Sequence, residues 1–578
     1  MATGSPYVAV RGSTGISIHC GPPSYELVSA FKRDDSKFCK CMLFSPQGDY
    51  FAWANGKKVT IVNTSNWEII AELDKPRVCS LDFSPKGTYL ATWELFTSSP
   101  DVPNGNLNLN IYKSATGEHL FAYEQKRQTK WEPLWTGDEE YCTRNYKNDV
   151  LFMKSNKLAE VENKLANQRI HDYSLSPGGP PYHFLCYIPG KQAQPSLGKL
   201  YQYPKFDTPI ASKSFFQADT VDAYWNKKGT GVLLMTTLEV DKTGSSYYGK
   251  QTLHFLSTKG ETSIVQLSKE GPIHSVAWSP QSHEFCVIYG FMPSKATIFN
   301  TKCEPVFELG TGPRNSIYYN PHGNILLLGG FGNLPGNLEI WEVPARKFIT
   351  KMVAQDTTLL SWSPEGTHFL TATTAPRLRI CNGFKVWHYS GALLYERPWN
   401  KQEELWEVLW QRFPDGTFKI QPVSYKPVEG IAPSQPTASK EAYRPPTARG
   451  KPVTFKLNDE EPVSAGGPHL SKSALKMKKK REAKKAAKAQ ANEVVTDGAA
   501  SVSPPPSKPQ TNGLKTHLGE FTSDDPVKMK KMGRLKSKLM EIERLKGQQK
   551  AGKHLEINQL EKIKKEDILL KEMRDLAL

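Results

Sequence analysis

The chain has 578 residues, with 75 Lys/Arg against 58 Asp/Glu and a formal net charge of +17, more length than one ordinary domain holds. Residues 1–425 carry 43 Lys/Arg against 39 Asp/Glu, a net of +4, whereas residues 426–578 carry 32 against 19, a net of +13. A basic tail on a nearly neutral body follows, and apolar runs as short as "GVLLMTT" and "ILLLGG" exclude a membrane-spanning helix.

The first residues, "MATGSPYVAV", show no charged-then-apolar leader pattern. All nine cysteines lie before residue 382, and none forms a Cys-x-x-Cys pair. Free, mostly buried thiols in a cytoplasmic protein are the expectation, with Cys39 and Cys41 as alternating core thiols rather than metal ligands.

"YVAVRG", "GISIHCG" and "YELVSAF" come first, three strand-like pieces with no Ser-Pro turn before them. A unit then recurs: an apolar strand, a Ser-Pro-x-Gly-like turn, and a second apolar strand. It reads "LFSPQGDYFAW" (43–53), "LDFSPKGTYLATW" (81–93), "VAWSPQSHEFCVIYG" (276–290), "IYYNPHGNILLLGG" (317–330) and "LSWSPEGTHFLTA" (360–372), with weaker copies at 134–142, 173–187, 224–235 and 408–420. The turn positions Gly48, Gly87, Gly137, Gly178, Gly229, Ser282, Gly323, Gly366 and Gly416 are 39 to 53 residues apart.

Periods of this size with about four strands each indicate the blades of a propeller. A lone four-stranded sheet has two apolar faces and can cover neither; radial stacking covers both, and ring closure removes the end surfaces. The expected fold class is therefore all-β: a WD40-like β-propeller over 1–425. Nine blades are expected, with the two chain ends sharing one of them; eight is the count if a weak copy is not a full sheet.

Between the second and third strands of the seventh unit lies "GGFGNLPG" (329–336). Its glycines lack the Lys-Ser/Thr of a phosphate loop, and a strand follows rather than a helix, so a turn is expected and not a nucleotide cradle. Other long second-to-third connections are 95–106, 238–250, 290–296 and 373–384. In a propeller these emerge on one face, and loops on a rigid scaffold carry recognition. Phe331, Asn333, Leu334, Tyr247 and Tyr248 are the candidate partner-binding residues of that face. No His-Glu-x-x-His, Gly-x-Ser-x-Gly or Cys/His metal spacing occurs, so no catalytic, cofactor or metal residue is expected.

The last quarter reads differently. Residues 426–470 form a Pro-rich linker. The segment 471–490 has nine Lys/Arg and one Glu within 472–488, is composed of helix formers, and cannot bury itself; it suits a polyanion. Lys476, Lys478, Lys479, Lys480, Arg481, Lys484, Lys485 and Lys488 are its candidate RNA contacts. A second linker over 491–525, read as disordered, leads to two amphipathic helices over 526–578, opened by Asp524, Asp525 and Pro526. Lys528, Lys530, Lys531 and Arg534 extend the RNA-binding candidates. Leu535, Leu539, Ile542, Leu545, Leu560 and Ile563 fall on stripes for a partner or for self-association.

Taken together, the "FSPKGTYLATW" turns, the "DKTGSSYYG" loop, the "GGFGNLPGNLEIW" segment and the Lys-rich tail resemble the eukaryotic translation initiation factor 2A family along the whole chain. The resemblance implies a cytoplasmic, non-enzymatic factor with the small ribosomal subunit, initiator methionyl-tRNA, mRNA and other initiation factors as partners. It implies codon-dependent, GTP-independent delivery of that tRNA, without a nucleotide cofactor. A protein–protein scaffold without direct tRNA contact is the alternative.

Overall fold

A computed structural model describes residues 5–98, 105–166, 168–190, 194–215, 218–238, 249–400 and 402–434, together with Ile542, Lys546 and Leu569. The chain divides into two compact units, 1–444 and 445–578.

The first unit is a nine-bladed β-propeller. Eight antiparallel sheets of four strands, each in sequence order, span 41–73, 78–123, 134–165, 172–215, 220–264, 273–312, 316–353 and 359–398; they are blades 1 to 8. First strands of neighbouring blades touch, as Thr220–Trp225, Ile273–Trp278 and Ser316–Tyr319 do in succession, which places them innermost. Inner-strand tryptophans tie blade to blade. The indole N–H of Trp278 donates to the Tyr224 carbonyl at 2.7 Å, and that of Trp362 to the Tyr318 carbonyl at 3.2 Å.

Second strands are buried over most of their length, and Glu284–Tyr289 and Ile325–Gly329 from end to end. This explains why they read as continuous apolar runs, the pattern of a sheet covered on both sides. Alternate residues of one strand serve different cores. Leu326 and Leu328 pack towards blade 6 with Ile288 and Ile298, whereas Ile325 and Leu327 pack towards blade 8 with Phe369 and Trp387.

Blade 9 is built from both chain ends. Leu405–Trp410 is its inner strand, pairing antiparallel with Val8–Gly12 (Val8 opposite Trp410, Val10 opposite Val408), which pairs in turn with Gly15–His19. Val8 and Val10 face blade 8, beside Leu370 and Phe384; Ala9, Ile16 and Ile18 face blade 1, beside Phe51 and Trp53.

The sheet has three strands and not four. "YELVSAF" makes two ladder bonds to the third strand, from Cys20 N–H to the Glu26 carbonyl (2.8 Å) and from Val28 N–H to the Ile18 carbonyl (2.9 Å). It then turns away because Phe31 inserts among Phe51, Trp53 and Trp67 in the blade 1 core. Among the described residues, no further strand forms after Trp410. Residues 421–434 run along blades 7 and 8, with Ser424 N–H on the Tyr389 hydroxyl and Ile431 N–H on the Leu393 carbonyl.

The recurring turn needs a left-handed residue at its fourth position. Gly48 (φ 80°) holds it in blade 1, and a Cβ there would lie 2.0 Å from the Arg412 carbonyl oxygen of blade 9. In blade 3 the residue in that conformation is Glu139 (φ 61°) and not Gly137, which corrects the sequence reading. Its carboxylate accepts the Lys86 N–H of blade 2 at 2.6 Å, a fixed bond that offsets the conformational cost.

Gly48→Ala and Gly416→Ala form a matched pair. Both positions are left-handed, but an added Cβ at Gly416 (φ 81°) meets nothing. Gly416→Ala is expected to cost about 1 kcal/mol of stability, and Gly48→Ala at least roughly 2 kcal/mol more, because it also pries at the ring closure. Denaturant unfolding of the two variants checks the difference.

Candidate partner-binding face

The segment 329–336 joins the second strand of blade 7, Ile325–Gly329, to the third, Asn337–Glu342. Its ends are cinched by hydrogen bonds from Gly330 N–H to the Asn337 carbonyl (2.9 Å) and from Gly336 N–H to the Gly330 carbonyl (2.8 Å). The Asn315 side chain holds the backbone of Phe331 from both sides: its amide nitrogen donates to the Phe331 carbonyl at 2.9 Å, and its oxygen accepts the Phe331 N–H at 3.1 Å. Gly336 (φ 83°) is required twice over, since a Cβ would stand 2.3 Å from the Ala354 carbonyl oxygen.

Inside this frame the side chains divide. Phe331 is half-buried, edge-on to Tyr318 with ring centroids 6.3 Å apart, and packed on the core shared by blades 7 and 8. Leu334 is half-buried beside Gly330, while Gly332, Asn333 and Pro335 are exposed.

A cleft of about 440 Å³ opens between this loop, the connection 355–358 from blade 7 to blade 8, and Arg377 with Leu378 in the second-to-third connection of blade 8. The Arg377 guanidinium lies over Gly332, 3.1 Å from where a Cβ would be, and pairs with no described carboxylate. Arg379 is engaged by Glu404 at 3.2 Å. Along the same face, Ile380 of blade 8 is 77% exposed, and Phe291 and Met292 of blade 6 are 45% and 43% exposed. Blades 6 and 8 thus carry apolar side chains into solvent on the side where the blade 7 loop also emerges, and Arg377 there has no carboxylate partner among the described residues. That combination suits a protein surface with an anionic component, by burial of apolar area and charge-assisted hydrogen bonding.

Arg377 and residues 355–358 were not among the residues named from sequence. The first lies within a connection recognised as long, "TTAPRLRICNGF" (373–384), and could have been found there. The second belongs to a different connection, and only the ring brings it to the cleft.

Of the sequence candidates, Phe331, Asn333 and Leu334 meet at this cleft. Tyr247 and Tyr248 lie outside the described residues, as do the basic candidates Lys476, Lys478, Lys479, Lys480, Arg481, Lys484, Lys485, Lys488, Lys528, Lys530, Lys531 and Arg534, and the stripe residues Leu535, Leu539, Leu545, Leu560 and Ile563. Ile542 is helical and buried, and Lys546 and Leu569 are helical.

All nine cysteines are unbridged. Burial, with the Asp34 charge adding to it, pushes the Cys39 thiol up to about 12; burial pushes Cys41 to about 12 as well, so both stay protonated near neutrality. Among the described residues, no three His, Cys, Asp or Glu stand together as metal ligands, and no helix is long and apolar enough to cross a membrane.

Comparison with known proteins places these features. The family described as Eukaryotic translation initiation factor eIF2A matches residues 213–408. A Drosophila melanogaster relative, Eukaryotic translation initiation factor 2A, is 40% identical over 99% of this chain and 98% of its own length. The Caenorhabditis elegans protein of the same name is 30% identical over 99% of both chains. A solved structure, the crystal structure of the eukaryotic initiation factor, is 32% identical with a TM-score of 0.66, and covers 71% of this chain and all of its own.

The division of side chains in the loop is measurable. Phe331→Ala removes a half-buried ring, so a loss of about 2 kcal/mol is expected, roughly half the cost of a fully buried Phe. Asn333→Ala, at an exposed position, is expected to stay within about 0.5 kcal/mol of the parent. Thermal unfolding of the two variants checks this, and equal losses would contradict the packing described.

Proposed function

This chain belongs to the eukaryotic translation initiation factor 2A family, and on that premise we propose that it is a non-enzymatic factor which binds the small ribosomal subunit and directs initiator methionyl-tRNA to it. The chain is a translation initiation factor. Its proposed mode of delivery is codon-dependent and GTP-independent, in the cytoplasm, with mRNA and other initiation factors as further partners.

The observation that carries the reading is similarity along the whole chain, tail included, to proteins of that name. Two physical features support a division of labour. The second-to-third connections of blades 6 and 8 offer exposed Phe291, Met292 and Ile380, and Arg377 lines the cleft between blades 7 and 8 on the same side, a surface for a protein component. The segment 471–490 offers Lys476, Lys478, Lys479, Lys480, Arg481, Lys484, Lys485 and Lys488 as phosphate neutralisers without base reading. Absence of a phosphate-loop motif in the sequence agrees with a GTP-independent role.

A second reading is favoured by the apolar character of the propeller face alone: a protein–protein scaffold in a ribosome or mRNA complex that does not touch tRNA.

Salt dependence separates the two. Each phosphate contact releases counterions, so small-subunit and tRNA binding by the full chain should weaken steeply with salt. Reversing the Lys/Arg charges within 476–488 should lower that slope and weaken binding at least about tenfold. Binding that shows no salt slope and survives the charge reversal favours the scaffold.

A further inference from the structure

Residues 34–40 lead from blade 9 into the first strand of blade 1, Cys41–Phe44. Cys41 lies opposite Ala54, the last residue of the second strand, so this entry emerges on the same side as the second-to-third connections. The segment is pinned along its length. The Asp34 carboxylate accepts the Trp53 indole N–H at 2.7 Å, the Asn55 amide at 2.9 Å and the Ser36 N–H at 2.9 Å. The Ser36 hydroxyl donates to the Asn55 carbonyl, Arg11 to the Cys39 carbonyl, and the Lys40 N–H to the Ala54 carbonyl, each at 2.9 Å. Between these anchors Phe38 is held out of the core at 74% exposure. Its Cβ sits against Gly56, 3.0 Å from where a Cβ would be, which leaves the ring in solvent.

The charges around this ring are positive and unneutralised. Lys37 and Lys40 flank Phe38 in the chain, and Lys57 follows Gly56; all three are exposed and pair with no carboxylate among the described residues. Carboxylates on the same side are engaged elsewhere: Asp35 by Arg33 at 2.7 Å, Glu72 by Lys58 at 2.5 Å and Glu94 by Arg77 at 3.5 Å. Asp74 is left exposed and unpaired against the three lysines. An apolar residue exposed singly is ordinary. An aromatic ring held rigidly in solvent among unpaired lysines is the composition of a base-stacking platform, where the ring takes a base and the ammonium groups take the adjoining phosphates. A duplex, whose bases are already stacked, offers the ring no free face; a single strand does.

We propose that Phe38, with Lys37, Lys40 and Lys57, is a binding site for single-stranded RNA on the propeller itself. One base stacks on the Phe38 ring, and the lysines neutralise the phosphates beside it without reading sequence. The site goes beyond the RNA contacts proposed for 471–490, since it stands on the ring alone and needs neither that segment nor the ribosome.

The test follows fluorescence anisotropy of labelled dodecauridylate with the full chain, and with the full chain carrying reversed Lys/Arg charges within 476–488. The charge-reversed chain is expected to keep binding that weakens as salt is raised. In that background Phe38→Ala and Phe38→Leu should each weaken binding about fivefold or more, whereas Phe38→Trp should preserve it. Lys37→Gln with Lys57→Gln should flatten the salt slope. Lys302→Gln, at an exposed turn on the other side of the ring, should change nothing. Binding of an RNA duplex of equal length should be insensitive to Phe38→Ala. Loss of all dodecauridylate binding on charge reversal would overturn the ring site while leaving the reading of 471–490 intact. Parent-like binding by Phe38→Ala or Phe38→Leu would overturn it, as would a glutamate-rich peptide that displaces the RNA and depends on Phe38 equally.

Discussion

The pairing of Leu405–Trp410 with Val8–Gly12 holds the ring together. Each sheet exposes two apolar faces, and only a neighbour on each side can cover them. Without the ninth sheet, blade 8 would expose Leu370 and Phe384, and blade 1 would expose Phe51 and Trp53. Joining segments 396 residues apart, as the Arg11–Glu407 hydrogen bond does, costs on the order of 5 kcal/mol in chain entropy beyond a constant, because that cost grows only as the logarithm of length. Burial of two interblade cores readily offsets it. The ends of the propeller are therefore the positions on which all nine blades depend.

Closure also determines where recognition can occur. Antiparallel order sends second-to-third connections to one side and the repeating turns to the other, so a ring of nine sheets has two chemically independent faces. Clefts form where adjacent blades diverge outward. The cleft beside Phe331 takes its walls from two blades. Sites on such a ring inherit the rigidity of the sheets, as Asn315 fixing Phe331 and Asp34 fixing the segment before Phe38 illustrate.

Much of the fold was legible in the sequence because each blade repeats a local necessity. A two-strand apolar run interrupted by a tight turn is a short-range signal, and eight of them with turns 39 to 53 residues apart leave little freedom. In blade 3, where Glu139 carries the turn, local reading failed, although Ser282 was read rightly as the turn residue of blade 6. Glu139 adopts the left-handed conformation because Lys86 on another blade bonds its carboxylate, and nothing near Gly137 announces this. "YELVSAF" has strand composition, yet Phe31 is drawn to a neighbouring core, a long-range competition that pattern cannot show. The candidate face was legible in part. The place of "GGFGNLPG" between two strands follows from order alone, and Arg377 lies in a connection recognised as long, but residues 355–358 reach the cleft only through the ring. The inward packing of Phe331 was likewise invisible, since one apolar residue in a glycine loop reads equally as anchor or contact.

We propose that the side of the propeller bearing the blade 6 to 8 connections, with the basic segment 471–490, engages the small ribosomal subunit. Chemical cross-linking of the purified full chain to purified small subunits, with mapping of the attached residues, tests it most directly. Attachments are expected within 290–296, 329–336, 373–384 and 471–490. Attachments confined to the opposite side of the ring, or none at saturating subunit concentration, would contradict it.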